Sequence, residues 1–291
     1  MTDLLKNDNI LMCLQNHTDI NLSELEISKM KSGTTDGLVY TFSENGLPKY
    51  VLKLDHPQQI IHVDQFLYTY QHVQLLPKLI YTDTGKGFIV YEHINGTTHY
   101  NRGSKINWMT LLVSELFNHY VNYDLNGSWG RVGGIEHQTW HDFNMCSLES
   151  TRVNIGDLLP EEDYFKVKSI VERIANDERQ ELKYLLHGDT GVHNFVFKDN
   201  RLAGIIDPSP IVGPIIYDFT YAFCSSPDDL DVETLLSAFS LLKRVPIGKM
   251  RLIEEVICQL YTRIGVCVKV HPHDLEDYLK AWDYWRRLMP S

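Results

Sequence analysis

The chain has 291 residues, 43% hydrophobic and 22% charged, enough for one large core or two modest lobes of an ordinary globular protein. A net charge of −11 argues against a nucleic-acid partner, because proteins that grip phosphate backbones present a basic face; the same acidity suits a cationic small molecule, and serves solubility equally well. No run nears the roughly 18 apolar residues of a membrane span, Met1–Asp8 lacks a basic segment ahead of an apolar one, and Cys13, Cys146, Cys224, Cys258 and Cys267 are scattered without a C-x-x-C pair, which together predict a cytoplasmic protein with reduced thiols, no membrane contact and no zinc site.

Leu4, Leu5, Ile10, Leu11 and Leu14 predict a short helix and turn up to about residue 22. Strands follow at Glu24–Ile27, Leu38–Phe42 and Tyr50–Leu54, separated by turns at Ser32–Gly37 and Glu44–Gly46. Ser32, Gly33 and Thr34 open the first turn, whose backbone N–H groups could approach an anion, although a plain hairpin uses the same residues. Lys53 stands amid Val51, Leu52 and Leu54, where an unpaired ammonium is costly, so a working Lys53 needs an anionic partner. Pro57–Val73 reads as a helix, with Pro57 in the first turn and Ile60, Val63, Leu67 and Tyr70 on one face.

Strands at Lys78–Tyr81 and Phe88–Tyr91 then lead into Glu92-His93-Ile94-Asn95-Gly96. Most of the remainder is helical in pattern, at Trp108–Tyr120, Phe165–Ile174, Leu235–Leu242 and Leu252–Ile264. The Gly-rich stretch Asn126–Gly134, ahead of Thr139–Phe143, reads as an irregular helix connector, with a place at the border of an acceptor pocket as the alternative. The acids Asp228, Asp229, Asp231 and Glu233 read as a capped helix start. His271-Pro272-His273-Asp274 is a turn before the last helix, since it lacks a third metal ligand at helical spacing. Trp282, Tyr284 and Trp285 in that helix serve either packing or a lid over a substrate.

The most informative stretch is His187-Gly188-Asp189-Thr190-Gly191-Val192-His193-Asn194, followed by a hairpin that ends in Ile205-Ile206-Asp207-Pro208. Asn194–Phe197 and Leu202–Ile206 are its strands, with the polar turn Lys198–Arg201 between them. A hairpin returns its two ends to one place, so Asn194 and Asp207 should emerge side by side, and Asp189 in the entering loop can face them. Oxygen donors of this kind suit Mg²⁺, which takes one or two carboxylates and completes its shell with water and phosphates. Asp207 and the Asn194 amide oxygen are then metal ligands, and Asp189 orients a hydroxyl and accepts its proton.

These residues, with Gly213 and Tyr217-Asp218-Phe219 after them, resemble the core of the aminoglycoside phosphotransferase family and its choline-kinase-like relatives. The resemblance is specific over residues 185–223, moderate over 30–96 and architectural elsewhere. It implies an α+β, bilobal protein-kinase-like fold, with a small β-rich nucleotide-binding lobe over 1–95 and a larger, mainly helical catalytic lobe over 96–291. It further implies Asp189 as catalytic aspartate, with His187 a scaffold in the same catalytic loop, Asn194 and Asp207 as the Mg²⁺ residues, and Asp218 as a buried brace. Lys53 matches the phosphate-binding lysine, and 92–96 resembles the inter-lobe hinge, where the Glu92 carbonyl and the Ile94 N–H would read a purine while Tyr91 backs the pocket.

One departure stands out. The helix glutamate that pairs with the lysine in kinase-like proteins is missing, and Asp64 is the only acid well inside that helix; it stands in, or Lys53 is held by phosphates alone. The expected activity is Mg²⁺-dependent transfer of the γ-phosphoryl group of ATP or GTP to a hydroxyl of a small molecule, such as an aminoglycoside, amino alcohol or sugar. A kinase-like protein that binds nucleotide or ligand without catalysis is the alternative. A metal-dependent hydrolase using the His and Asp residues of the same loop is a third, weaker one.

Overall fold

The computed structural model describes residues 8–19, 21, 24–30, 38–98, 100–124, 126–176 and 182–289. Helix α1 (Asp8–His17) is followed by strands β1 (Leu25–Lys29), β2 (Leu38–Glu44) and β3 (Leu47–Leu54). Helix α2 (Pro57–Thr69) comes next, then β4 (Leu79–Asp83) and β5 (Phe88–Glu92). The strands form one antiparallel sheet in the order β1-β2-β3-β5-β4. Both faces are covered, which explains the nearly continuous apolar run in β3. Tyr40, Phe42, Tyr50, Leu52, Phe88 and Val90 pack together on one side with Ile10 of α1. Val51, Ile89 and Tyr91 face the other way, into the core that holds Ile60, Val63, Phe66 and Leu67 of α2. Because side chains alternate along a strand, Lys53 falls on the α2 side with Val51.

The α2 face is the one expected from its spacing, but the helix stops at Thr69 rather than Val73. Tyr70 leaves the helix as its C-cap, and its hydroxyl donates to the Leu185 carbonyl at 2.6 Å. That bond, and the Val121 N–H donated to the same hydroxyl, tie the end of α2 to the helical part of the molecule.

Past the sheet come β6 (Thr97–Thr98), α3 (Lys105–Glu115), β7 (Gly130–Arg131), α4 (Trp140–Ile155), α5 (Glu161–Ala175) and β8 (Tyr184–Leu186). Then follow β9 (Phe195–Lys198), β10 (Arg201–Ile205), β11 (Ile211–Gly213), α6 (Ile215–Cys224), α7 (Val232–Phe239), α8 (Lys249–Val270) and α9 (Leu275–Trp285). With the sheet at one end and these helices at the other, the architecture is the bilobal, kinase-like α+β one. Among the described residues no helix is long and apolar enough to cross a membrane.

Two differences from the sequence reading bear on the site. The Gly-rich stretch does not merely join helices: Gly130 and Arg131 pair with Val212 and Ile211, so β7-β11-β8 is a small sheet whose strand β8 runs into the 187–194 loop. Helix α4 has no strong apolar periodicity, yet Thr139 and Asp142 close a capping box that starts it. The last helix packs rather than lids. Trp282 and Trp285 are buried, and their indole N–H groups donate to Asp163 and to the Leu230 carbonyl. His271 ends α8, and Pro272–Asp274 is a single 3₁₀ turn.

Candidate active site

The loop between β8 and β9 is templated by α6. The Asp218 carboxylate accepts the Gly188 N–H at 3.1 Å, and the Asp218 carbonyl accepts the Thr190 hydroxyl at 2.8 Å. Three residues along the same helix, the Tyr221 hydroxyl donates to Asp189 Oδ1 at 2.9 Å. Ser225, which caps α6, accepts the Val192 N–H. Gly188 has φ +76°, and a Cβ there would run into the Ser209 carbonyl, so only glycine lets the loop lie this close to the strand that follows the hairpin.

Asp218 is fully buried, and burial raises its carboxyl to about 7 against the pull of the Tyr120 hydroxyl and the Gly188 and His187 amides. Tyr120 donates to Asp218 Oδ2 at 2.6 Å and accepts the His187 N–H. His187 is buried edge-on against Phe66 of α2. Burial pushes its imidazole down to about 4, although Asp189, Asp207 and the Ile206 backbone pull the other way. It is therefore neutral at pH 7. Its Nδ1 accepts the Asp189 N–H at 3.3 Å, which puts the proton on Nε2. The imidazole is fully buried and accepts a backbone N–H of the loop.

Asp189 is held on both oxygens, by Tyr221 on Oδ1 and by His193 Nε2 at 3.4 Å on Oδ2. Burial pushes its carboxyl up, but the His193 hydrogen bond, the imidazoles of His193 and His187 and the Tyr221 hydroxyl outweigh it and hold it at about 2. The His193 ring lies 6.3 Å from that of His271, so the turn before α9 reaches the edge of this site.

The open end of the hairpin is closed by the Ile206 N–H, which donates to the Asn194 carbonyl at 2.9 Å and brings Asn194 beside the 206–207 segment. The Asn194 amide nitrogen donates to the Asp189 carbonyl at 3.0 Å, which fixes the amide and leaves its oxygen free to accept. Asp207 has φ +57°, a left-handed conformation that costs a non-glycine residue roughly 1–3 kcal/mol and survives where the surroundings impose it. Its carboxylate meets Lys53 Nζ at 2.5 Å. One part-exposed carboxylate and one fixed amide oxygen make an all-oxygen donor pair that fits Mg²⁺ completed by water and phosphates. Among the described residues no group of three or more His, Cys, Asp or Glu side chains is placed to hold a metal by itself.

Lys53 corrects one expectation. Its anionic neighbours are Asp207 and, at 3.6 Å, Asp55. Asp64 is not among them: its carboxylate accepts the Thr82 hydroxyl at 2.5 Å, bracing α2 on β4 instead of holding the lysine. The physical reason is reach, since an aspartate on this turn of α2 meets the neighbouring strand before it can cross to β3. Glu92 ends β5 with its N–H given to the Lys78 carbonyl, and the His93 N–H goes to Lys49. Ile94 lies against Gly204 of β10, and β6 pairs with β9, so the 92–98 segment runs along the β9–β10 hairpin. Ser32, Gly33 and Thr34 lie outside the described residues.

Sequence reasoning passed over Tyr221, Tyr120, Asp55 and Arg131. Arg131 donates from β7 to the Ser209 carbonyl, just past Asp207. A signal existed for Tyr221, three residues after Asp218 on one helical face. None existed for Tyr120 or Arg131, which arrive from distant segments.

The fold defines the class: a protein-kinase-like architecture of the kind seen in aminoglycoside phosphotransferases. No family model and no curated protein matches the chain. Among solved structures, aminoglycoside phosphotransferase APH(4)-Ia aligns with a TM-score of 0.59 at 14% identity, over 98% of this chain and 100% of that one. ADP-bound APH(2'')-Ib aligns at 0.56 and 20% identity, over 97% and 98%. A putative aminoglycoside phosphotransferase from Ralstonia eutropha aligns at 0.62 and 12% identity, over 96% and 98%. A thermostable mutant of APH(4)-Ia has also been solved in a ternary complex with ADP and hygromycin B.

Proposed function

We propose that the chain transfers the γ-phosphoryl group of ATP or GTP to a hydroxyl of a small molecule, between a nucleotide-binding lobe over residues 1–95 and a catalytic, acceptor-binding lobe over 96–291. The observation that supports this best is the 2.5 Å contact between Lys53 of the sheet and Asp207 of the hairpin. It ties a cation suited to phosphates to a carboxylate suited to a divalent ion.

In this reading the acceptor hydroxyl donates its hydrogen bond to Asp189. The acceptor oxygen bonds to Pγ, the bond from Pγ to the β,γ-bridging oxygen breaks, and the proton passes to the carboxylate. A carboxyl held at about 2 is a weak proton acceptor, so Asp189 acts chiefly by orienting the hydroxyl, which suits a loose transition state. Asn194 and Asp207 would hold Mg²⁺, which when bound neutralises charge on the transferring phosphates. The Glu92 carbonyl and Ile94 N–H would read the purine edge, with Ser32, Gly33 and Thr34 over the phosphates, and a cytoplasmic location would supply the nucleotide.

The acceptor is tested by a screen of aminoglycosides, amino alcohols and sugars with Mg-ATP and Mg-GTP, read as nucleoside diphosphate release. Hygromycin B leads the panel, because it is bound in the APH(4)-Ia complex. Acceptor-dependent release that EDTA stops is expected. Binding of nucleotide without turnover on any acceptor would favour the non-catalytic alternative, and no binding at all would sink the nucleotide reading.

A further inference from the structure

We infer that Asp55 is the positioning anion for Lys53, in the place where kinase-like proteins use a helix acid. The inference rests on the nucleotide-binding reading of Lys53. Lys53 is buried, at 6% exposure, so its ammonium needs a standing counter-charge. Asp207 supplies the shortest contact, but it is also the carboxylate proposed for the divalent ion. An oxygen committed to a dication no longer compensates the lysine to the same extent. Asp64, the expected substitute, is already taken by Thr82.

Asp55 remains, and it is built to stay. It follows β3 by one residue and lies two beyond Lys53, so both side chains leave the strand on the same side. Its N–H donates to the Gly87 carbonyl at 3.0 Å, extending the β3–β5 ladder past the strand end. Gly87 has φ +69°, and its missing side chain matters: a Cβ there would press on the Asp55 carbonyl at 2.5 Å. The two carboxylate oxygens have separate partners. Oδ1 accepts the His56 N–H at 2.7 Å, at the entrance to α2, and Oδ2 faces Lys53 Nζ at 3.6 Å. The start of a helix also favours a negative charge. Asp55 thus links Lys53 to the N-terminal end of α2, which is what the missing acid would do from the middle of the helix.

The test is calorimetric binding of Mg-ADP and Mg-GDP to the full chain, alongside thermal melts. Asp55→Gln is expected to weaken binding of the nucleotide that the parent takes by about 5- to 30-fold, the range of coupling between close charges. Asp55→Glu, of equal length but charged, is expected to keep most of the affinity. Once Lys53 is replaced in Lys53→Met, Asp55→Gln should cost nothing more, and Asp64→Asn should lower the melting temperature while leaving affinity within about twofold. Equal affinity in the Gln and Glu variants, or additive losses with Lys53→Met, would overturn the assignment of Asp55. Failure of the parent to bind either nucleotide would instead sink the reading of the lobe itself.

Discussion

The 187–194 loop and the strand that carries Lys53 are held by different means. The 187–194 loop is tied to one helix at four points, through Asp218 at Gly188 and Thr190, Tyr221 at the Asp189 carboxylate and Ser225 at Val192. Lys53 instead sits between two carboxylates from separate elements, Asp207 at 2.5 Å and Asp55 at 3.6 Å. The loop is therefore organised without any ligand, while the lysine's surroundings depend on what else binds Asp207. For the phosphoryl transfer proposed above, a preorganised carboxylate at Asp189 beside a redistributable cation would separate the positioning of the hydroxyl from the binding of the phosphates.

The sharpest way to break this contrast is to loosen the template. His187 and Asp218 are two buried titrating groups of the loop with opposite pH signatures. An unfolded histidine takes up a proton near 6.5, while buried His187 waits until about 4, so the unfolded chain binds more protons in that window and stability falls as pH drops. Asp218 works the other way. It is already protonated below about 7 when folded, whereas the unfolded carboxyl keeps its charge down to about 3.8, so stability rises as pH drops between those values. In the parent chain the two slopes largely offset each other. Asp218→Asn removes one of them, and the variant should lose about 3 kcal/mol between pH 7 and pH 4 relative to the parent, measured by urea unfolding at both pH values. A parallel pH profile in parent and variant would mean that the loop is not held as described.

A smaller effect is expected from the hydroxyl of Tyr221 alone. Tyr221→Phe keeps the ring beside Tyr217 and deletes only the bond to Asp189 Oδ1. With Asp189 in the proposed role, loss of this hydrogen bond should lower kcat about tenfold, with KM for nucleotide little changed. A change in nucleotide KM with kcat intact would assign Tyr221 to nucleotide binding and not to the support of Asp189.

How much of this could be read from the sequence follows the same divide. Asp189, Asn194 and Asp207 belong to one short loop and hairpin, so their order along the chain carries their geometry, and Ile206 bonding to Asn194 closes the hairpin where the strand pattern puts its end. The kinase-like α+β fold was legible through the family resemblance that this same segment carries, and local periods supplied only its individual strands and helices. Lys53 was legible as a buried cation in need of an anion, but its partner was sought on the helix because kinase-like proteins place it there. Asp55 stood two residues away and was passed over, because which of several acids a lysine meets depends on side-chain reach that spacing does not encode. The pairing of Gly130 and Arg131 with β11 was hidden too, since a two-residue strand has no period to detect.

In the proposed transfer, Asp189 orients the acceptor hydroxyl. Single-turnover transfer from Mg-ATP or Mg-GTP, measured for parent and Asp189→Asn with any acceptor that the parent phosphorylates, tests this directly. The prediction is a loss of transfer by at least about a hundredfold with nucleotide affinity largely retained. Transfer at the parental rate by Asp189→Asn would contradict it.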